Sequence, residues 1–340
     1  MADKPKQQYP QMSDIARLAG VSKSTVSRAL SGSTLVNQQT RDLVMRIARE
    51  QNYRLNTAAR NFRLKESLTF AVLLPSASDV DFKLSDPFFL ELLAAIAEAV
   101  DEHGHQLLLS RISPQEGEWI EEFIDKRSAD GVILIGQGSH HDTIDRIAEH
   151  FKAISVWGAK ISENQNYPVV GSDNVLGGRR ATEHLLSRQR QRIVFLGYKS
   201  LPEVLQRYQG YCDALDVAGI AVESELVIDG CYGEADGYSA MCHLIDSGIA
   251  FDGVFAVSDV LAMSAILALK ENGLQVPGQV SVVGYDDISL AAYYNPPLTT
   301  VHQNLSLGGK VLVDNLLEAL AGHTPEFVSL NPGVIVRGSS

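Results

Sequence analysis

Cysteine is scarce. The 340-residue chain holds three, Cys212, Cys231 and Cys242, an odd number without metal-ligand spacing. That excludes a disulfide scaffold and a zinc module, and reduced thiols in a cytoplasmic setting are expected. Long apolar runs are missing too. The best candidate, Phe88 to Val100, is interrupted by Glu91 and Glu98, so no membrane span is expected. The opening stretch MADKPKQQYP has basic residues but no apolar segment behind them, so no secretory signal is expected. There is no G-x-S-x-G elbow, and G-Q-G-S at 136–139 lacks the Lys-Ser/Thr of a P-loop. His140-His141, and His103 with His105, lack convergent carboxylate or cysteine partners. No catalytic residue, metal or cofactor is therefore predicted.

Positive charge is in short supply overall, with a net charge of −12, but it is not evenly spread. Residues 1–65 carry twelve Lys/Arg against four Asp/Glu, whereas the remainder carries 17 against 37. A basic head on an acidic body is the split expected when only the head meets a polyanion. Within the head, Ser13 is the expected cap of a short helix from Asp14 to Ala19, stopped by Gly20. Ser22 caps a second helix from Lys23 to about Leu30. Asn37 caps a third, roughly Gln38 to Gln51. Ile15, Ala16, Ala19, Val21, Val26, Ala29 and Leu30 are spaced to meet across a tight turn, with Leu43, Val44, Ile47 and Ala48 on the third helix. This pattern predicts a small all-α helix-turn-helix domain. Its second helix presents Lys23, Ser24, Ser27 and Arg28 on one side. Arg28 suits bidentate binding of guanine, Ser22 and Thr25 suit phosphate contacts, and Ser13 and Asn37 are also expected to touch the DNA.

MSDIARLAGVSKSTVSRALSG, followed by VNQQTRDLVMRIAREQNYRLNTAAR, resembles the DNA-binding head of the lac repressor–gal repressor family. The family's D-x-A-x-x-A-G-V-S-x-x-T-V-S-R-x-L motif is matched at Asp14, Ala16, Ala19, Gly20, Val21, Ser22, Thr25, Val26, Ser27, Arg28 and Leu30. The resemblance implies a head over 10–55, a hinge over 56–66 and an effector-binding and dimerisation body over 67–340. It also implies a hinge helix, capped by Asn56 and running from Thr57 to Arg63, that folds on operator DNA and wedges an apolar side chain into the minor groove. Ala59, Arg60, Phe62 and Arg63 fall on it. Phe62 stands where the family usually has leucine, and Arg60, Arg63 and Lys65 are placed to add phosphate contacts.

From Thr69 onward, strand-like runs (TFAVLL, QLLLS, GVILIG, AISVW, RIVFLG, GVFAVS, VSVVGY) alternate with helical stretches at 88–103, 116–126, 141–150, 176–188, 203–218, 234–247, 259–272 and 305–321. Such alternation predicts α/β layering with parallel sheets. ADGVILIG and FDGVFAVS rhyme, which suggests two similar lobes. The family resemblance implies a two-lobed, periplasmic-binding-protein-like (type I) body with crossovers near 168, 294 and 325. The N-lobe would then take about 67–168 and 295–325, and the C-lobe about 169–294 and 326–340. Ligand would sit in the cleft at the carboxyl ends of the strands.

The same resemblance places effector contacts at Phe88 and Phe89 after the first strand, Asp173 in D-N-x-x-G, Arg207 in R-Y-Q-G and Tyr232 in C-Y-G-E-A-D-G-Y. It adds Ser258 and Asp259 after GVFAVS, and Asp286 in G-Y-D-D. Asp287 is the expected cap of the following helix, and Trp157-Gly158 either lines the cleft or packs in the core. Aromatic faces with carboxylate and guanidinium groups suit a carbohydrate. An enzyme acting on sugars leaves the basic head unexplained, and a transport receptor needs a signal peptide. The expected function is a repressor of carbohydrate-utilisation genes. Its expected partners are palindromic operator DNA, a sugar effector and a second copy of the chain, as a homodimer or a tetramer. Most sugar-binding relatives are induced off DNA, so release by the sugar is expected over corepression. Phe62→Ala should weaken operator binding far more than binding to random-sequence DNA, and Phe62→Leu should largely keep it, in anisotropy titrations on both DNAs. Normal bending and affinity with Phe62→Ala would remove Phe62 as the wedge.

Overall fold

The computed structural model describes residues 10–30, 33–51, 53, 67–75, 83–112, 129–138 and 140–340, and the chain divides into two units, Met1–Ser67 and Leu68–Ser340. The hinge residues Asn56, Ala59, Arg60, Phe62, Arg63 and Lys65 lie outside the described residues, as does the helix expected over 116–126.

In the first unit α1 (Met12–Ala19), α2 (Lys23–Leu30) and α3 (Gln38–Glu50) form where local capping allows. The start of α1 corrects the expected cap. The Gln11 N–H donates to the Asp14 carboxylate at 2.9 Å, so the helix begins at Met12 and Ser13 lies inside its first turn. A carboxylate three residues into a helix satisfies an orphan donor at its positive end, which outcompetes a serine one residue nearer. Gly20, at φ +66°, ends α1, and the Val21 N–H closes back on the Ala16 carbonyl at 3.0 Å. Ser22 and Asn37 act as expected: their side chains accept from Thr25 N–H at 3.0 Å and Thr40 N–H at 2.8 Å. Ile15, Val26 and Val44 are fully buried where the three helices meet, with Ala16, Ala29, Val36 and Ile47 around them.

The second unit has strands β1 (Thr69–Pro75), β2 (Gln106–Ile112), β3 (Gly131–Ile135), β4 (Ile154–Trp157), β5 (Val169–Ser172), β6 (Ile193–Leu196), β7 (Val227–Ile228), β8 (Gly253–Ala256), β9 (Ser281–Asp286), β10 (Thr299–His302), β11 (Val328–Leu330) and β12 (Gly333–Ile335). Its helices are α4 (Pro87–Glu102), α5 (His141–His150), α6 (Asn174–Ser187), α7 (Pro202–Val217), α8 (Glu234–Asp246), α9 (Asp259–Glu271) and α10 (Leu305–Leu320). The strands form two six-stranded sheets, ordered β11–β5–β4–β3–β1–β2 and β12–β10–β9–β8–β6–β7. Among the described residues all pairs are parallel except β10 with β12 at one edge. Parallel strands must be covered on both faces, and β1 shows why its run is continuously apolar. Phe70, Val72 and Leu74 pack toward α4 and α10, and Ala71 and Leu73 toward α5.

The crossovers fall later in the chain than expected. Val169–Ser172 is a strand of the first sheet, so the chain leaves that lobe after Ser172 and not near 168. Thr299–His302 belongs to the second sheet, so the return follows His302 and not 294. The last crossing lies between β11 and β12, after Leu330 and not near 325. The cause is strand length. VVGS, TTVH and VSL are too short and too polar to stand out as apolar runs. Thr299 and Thr300 are nonetheless completely buried, because Ser339, Ser340, Arg337 and Asp259 satisfy their polar atoms.

Two glycines set the contact between α6 and α7. A Cβ on Gly210 would stand 2.0 Å from the Val175 carbonyl oxygen, and one on Gly178 would stand 2.1 Å from the Arg207 carbonyl oxygen. The R-Y-Q-G motif thus ends in glycine because the neighbouring helix backbone occupies the space, and this contact presses Arg207 against the start of α6. Gly210→Ala should destabilise the body by about 1–3 kcal/mol or more, since rigid backbone cannot yield to the added methyl. Gly333→Ala, where a Cβ meets nothing within 4 Å, should change little. Urea unfolding of both variants checks this, and equal effects would contradict it.

Candidate functional site

On the head, the exposed side of α2 carries Lys23, Ser24 and Arg28, with Thr25 and Ser27 half-buried beside them. Ser22 caps α2 and also shares hydrogen bonds with Ser24 Oγ at 2.7 Å and Thr25 Oγ1 at 2.8 Å. These hydroxyls form one cluster at the positive end of a helix, the arrangement that receives a phosphate. Asn37 Oδ1 is engaged in capping α3.

In the body, a cleft opens between the carboxyl ends of the two sheets. From the first lobe come Asp86, Phe88, Phe89, Trp157, Gly158 and Gln303, and from the second Asn174, Glu203, Arg207, Tyr232, Ser258 and Asp286. Each is aimed by its local structure. Asp86 caps α4, accepting from the Phe88 N–H at 2.9 Å, and Pro87 starts the helix, which turns Phe88 and Phe89 inward. Phe88 meets Phe89 edge-on at 5.4 Å and Trp157 at 6.2 Å, so Trp157 belongs to both the core and the cleft wall.

Arg207 is almost entirely buried. Its Nε donates to Asn174 Oδ1 at 2.9 Å and its Nη1 to the Val257 carbonyl at 2.6 Å, while its guanidinium lies 3.7 Å from the centre of the Tyr285 ring. Its Nη2 makes no hydrogen bond among the described residues. Asp286 ends β9 with φ +118°, and Asp287 follows at φ +58°. Such backbone is held only by its surroundings. Gln303 Nε2 donates to Asp286 Oδ1 at 2.7 Å, and the Asp259 N–H also bonds its carboxylate. Burial pushes the Asp286 carboxyl up to about 7 against the lowering pull of Arg207, with Asp86 raising it further. Burial among Asp86, Glu203 and Asp286 likewise raises the Tyr232 hydroxyl far above its ordinary value and keeps it protonated.

Phe88, Phe89, Arg207, Tyr232, Ser258 and Asp286 are brought together as expected. Ser258 also caps α9, accepting from Leu261 N–H at 3.3 Å. Two expected contacts are corrected. Asp173 does not line the cleft: it caps α6, accepting from Leu176 N–H at 2.9 Å, and the next residue, Asn174, reaches Arg207 instead. Asp259 points away from the cleft and is completely buried. Its carboxylate accepts from Thr300 Oγ1 at 2.5 Å and Ile288 N–H at 2.9 Å, pinning the turn that carries Asp286. Asp287 is not a helix cap but pairs with Arg337 at 2.6 Å and His302 at 2.9 Å. Asp86, Glu203, Gln303 and Asn174 line the cleft beyond the contacts expected from sequence. Asp86 carried a usable signal, as an Asp-Pro helix start directly before the aromatic pair. Glu203 carried one as well, four residues before Arg207 on the same helix face; Gln303 carried none, because its place depends on the crossover.

Asp286 gives a pH test. Its folded pKa is raised from 3.8 to about 7 by burial, so the stability it contributes is full below about pH 4 and is lost as pH rises through 7. Asp286→Asn keeps the acceptor for Gln303 and removes the titration. The variant should exceed wild type in stability at pH 8, and that advantage should shrink as pH falls from 7 toward 4, by urea unfolding across the range. A pH-independent difference would contradict this assignment.

Comparison with known proteins agrees with both parts. Residues 11–56 match the family of bacterial regulatory proteins, lacI family, and residues 73–329 match the periplasmic binding proteins and sugar binding domain of LacI family. The chain is 32% identical over 330 residues to the HTH-type transcriptional regulator CelR of Thermobifida fusca, covering 96% of each chain. A solved CelR–cellobiose complex is similar at 29% identity and TM-score 0.72, over 97% of this chain and 100% of that one. The lac repressor dimer bound to operator and the anti-inducer ONPF is similar at 26% identity and TM-score 0.87, over 98% and 99%. Among the described residues no helix is long and apolar enough to cross a membrane. With a helix-turn-helix head and a two-sheet body both matched, the chain belongs to the lacI family of bacterial regulatory proteins.

Proposed function

We propose that the protein is a sugar-responsive transcriptional repressor, a binding protein and not an enzyme, which grips palindromic operator DNA as a homodimer and releases it when a carbohydrate enters the body cleft. The observation that carries this reading is the pairing, in one chain, of a basic helix-turn-helix head with a cleft where a fixed guanidinium, a buried carboxylate and aromatic rings face one another across two lobes. Lys23, Ser24, Ser27 and Arg28 enter the major groove, and Ser22 and Thr25 meet phosphates. Asn56, Ala59, Arg60, Phe62 and Arg63 form the minor-groove hinge. In the cleft Arg207 and Asp286 bind sugar hydroxyls, and Phe88, Phe89 or Tyr232 cover a sugar face.

The response follows from differential binding. The lobes touch directly at Lys83 with Glu234 (2.5 Å), at the Ser289 N–H with Glu91 (2.7 Å) and at Gln206 with the Lys160 carbonyl (3.0 Å). The first two are exposed and individually weak. A sugar that bonds both lobes at once therefore has enough differential affinity to choose their relative orientation, and through it the spacing of two hinges in a dimer. CelR is known with cellobiose, which makes cellobiose the first sugar to test.

Purified protein should bind a palindromic operator in an anisotropy assay, with affinity falling steeply as salt rises, and a sugar should release it. Sugar that tightens DNA binding would reverse the sign, and absence of sequence-specific DNA binding would overturn the reading. Arg28→Ala should cost on the order of 1–3 kcal/mol per half-site and relax preference at one base. Arg207→Ala or Asp286→Ala should lower sugar affinity by about tenfold to a hundredfold by calorimetry, since each leaves a buried partner unmade. Both variants should still bind the operator, giving repressors deaf to sugar.

A further inference from the structure

Glu203 has no part in the reading above, yet it stands inside the cleft. It is the second residue of α7, four before Arg207, and a spacing of four puts both side chains on one helix face. The residue is half-exposed, but its Oε2 is buried and has no hydrogen-bond partner among the described residues. The other charged groups of the cleft are already engaged: Asp86 at the start of α4, Asp286 by Gln303 and the Asp259 N–H, and Arg207 by Asn174 and the Val257 carbonyl. No ion pair joins Glu203 to Arg207 among the described residues. Burial pushes the Glu203 carboxyl up, more than its own backbone N–H and Arg207 pull it down.

A buried carboxylate oxygen without a donor is costly, and natural proteins keep such groups where something else supplies the donor. The cleft lining offers three carboxylates, Asp86, Glu203 and Asp286, against Arg207 as its one cation among the described residues. All three line the same cavity as Tyr232. An incoming hydroxyl or ammonium completes Glu203; an incoming phosphate or carboxylate brings its negative charge against three carboxyls whose own ionisation burial already opposes.

We infer that Glu203 is a specificity-determining residue: it accepts a hydrogen bond from the effector and restricts the cleft to neutral or ammonium-bearing sugars, excluding sugar phosphates and sugar acids. This rests on the reading of the cleft as the sugar site. The test uses a thermal-shift panel of neutral mono- and disaccharides, cellobiose and ribose included, with the 2-amino, uronic acid and 6-phosphate counterparts of each, followed by calorimetry on those that bind. The expected result is a neutral sugar that binds, an amino counterpart within about tenfold, and anionic counterparts weaker by about a hundredfold or more. Glu203→Gln should weaken the neutral sugar by about tenfold and shrink the gap to its anionic counterparts. Without sugar, this variant should melt at or above the wild-type temperature and bind operator normally.

An anionic counterpart binding as tightly as the neutral sugar, or an unchanged gap in Glu203→Gln, overturns the role of Glu203 while the sugar reading stands. A lower melting temperature or failure to fold makes Glu203 structural and also overturns it. Should no saccharide of any charge bind, the sugar reading fails and the inference falls with it.

Discussion

One buried guanidinium organises the cleft. Arg207 is removed from water, and a charge there is tolerable only where partners replace the lost hydration. Asn174 holds it from α6, the Val257 carbonyl from the end of β8, and the Tyr285 ring from β9. Three elements of the second lobe are thereby tied to one side chain. Gly178 and Gly210 are part of the same constraint, since only bare backbone lets α6 and α7 approach closely enough for Asn174 to reach Arg207. The geometry left over for a ligand is consequently stiff. Nη2 is the guanidinium nitrogen without a hydrogen bond among the described residues, and the plane it lies in is set before any ligand arrives.

Asp286 is held with comparable firmness by a second device. Its backbone, at φ +118°, is unfavourable for a side-chain-bearing residue. The turn is fastened from below by Asp259, whose carboxylate ties Thr300 of β10 to the Ile288 N–H, and from the side by Asp287 with Arg337 and His302. Asp259 thus serves the site without touching the cleft. It also explains how a strand as polar as TTVH lies buried in a sheet.

The contacts that a ligand would make sit next to the crossovers. Ser172 and Asn174 flank the first, and Gln303 lies immediately after the second, bonded to Asp286 across the lobes. A ligand that rearranges these hydrogen bonds acts on the segments that define how the lobes meet. At the rim, by contrast, exposed polar pairs such as Lys83 with Glu234 oppose reorientation weakly. Rigid side chains at the crossovers and weak contacts at the rim are the ingredients of a two-state body.

Much of this was legible in order along the chain. The helix-turn-helix followed from caps, a left-handed glycine and apolar spacing, all of which act within a few residues, and the single error, Ser13 for Gln11, came from a competing local hydrogen bond to Asp14. The longer strands followed from continuous apolar runs, while Arg207, Tyr232, Ser258 and Asp286 came from motifs shared with the lac repressor–gal repressor family. The crossovers did not follow, because β5, β10 and β11 are buried through pairing and side-chain satisfaction, not through their own hydrophobicity. Nor could Asp173 be told from Asn174, or Asp259 from a ligand contact, since one helix cap and one buried turn decide which way each points. Glu203 follows Arg207 into the cleft because the two lie four residues apart on one face of α7. Local hydrogen bonds and periodicity therefore determined the head and the layering from sequence alone. The cleft was decided by tertiary structure, because its charges are placed by partners distant in the chain.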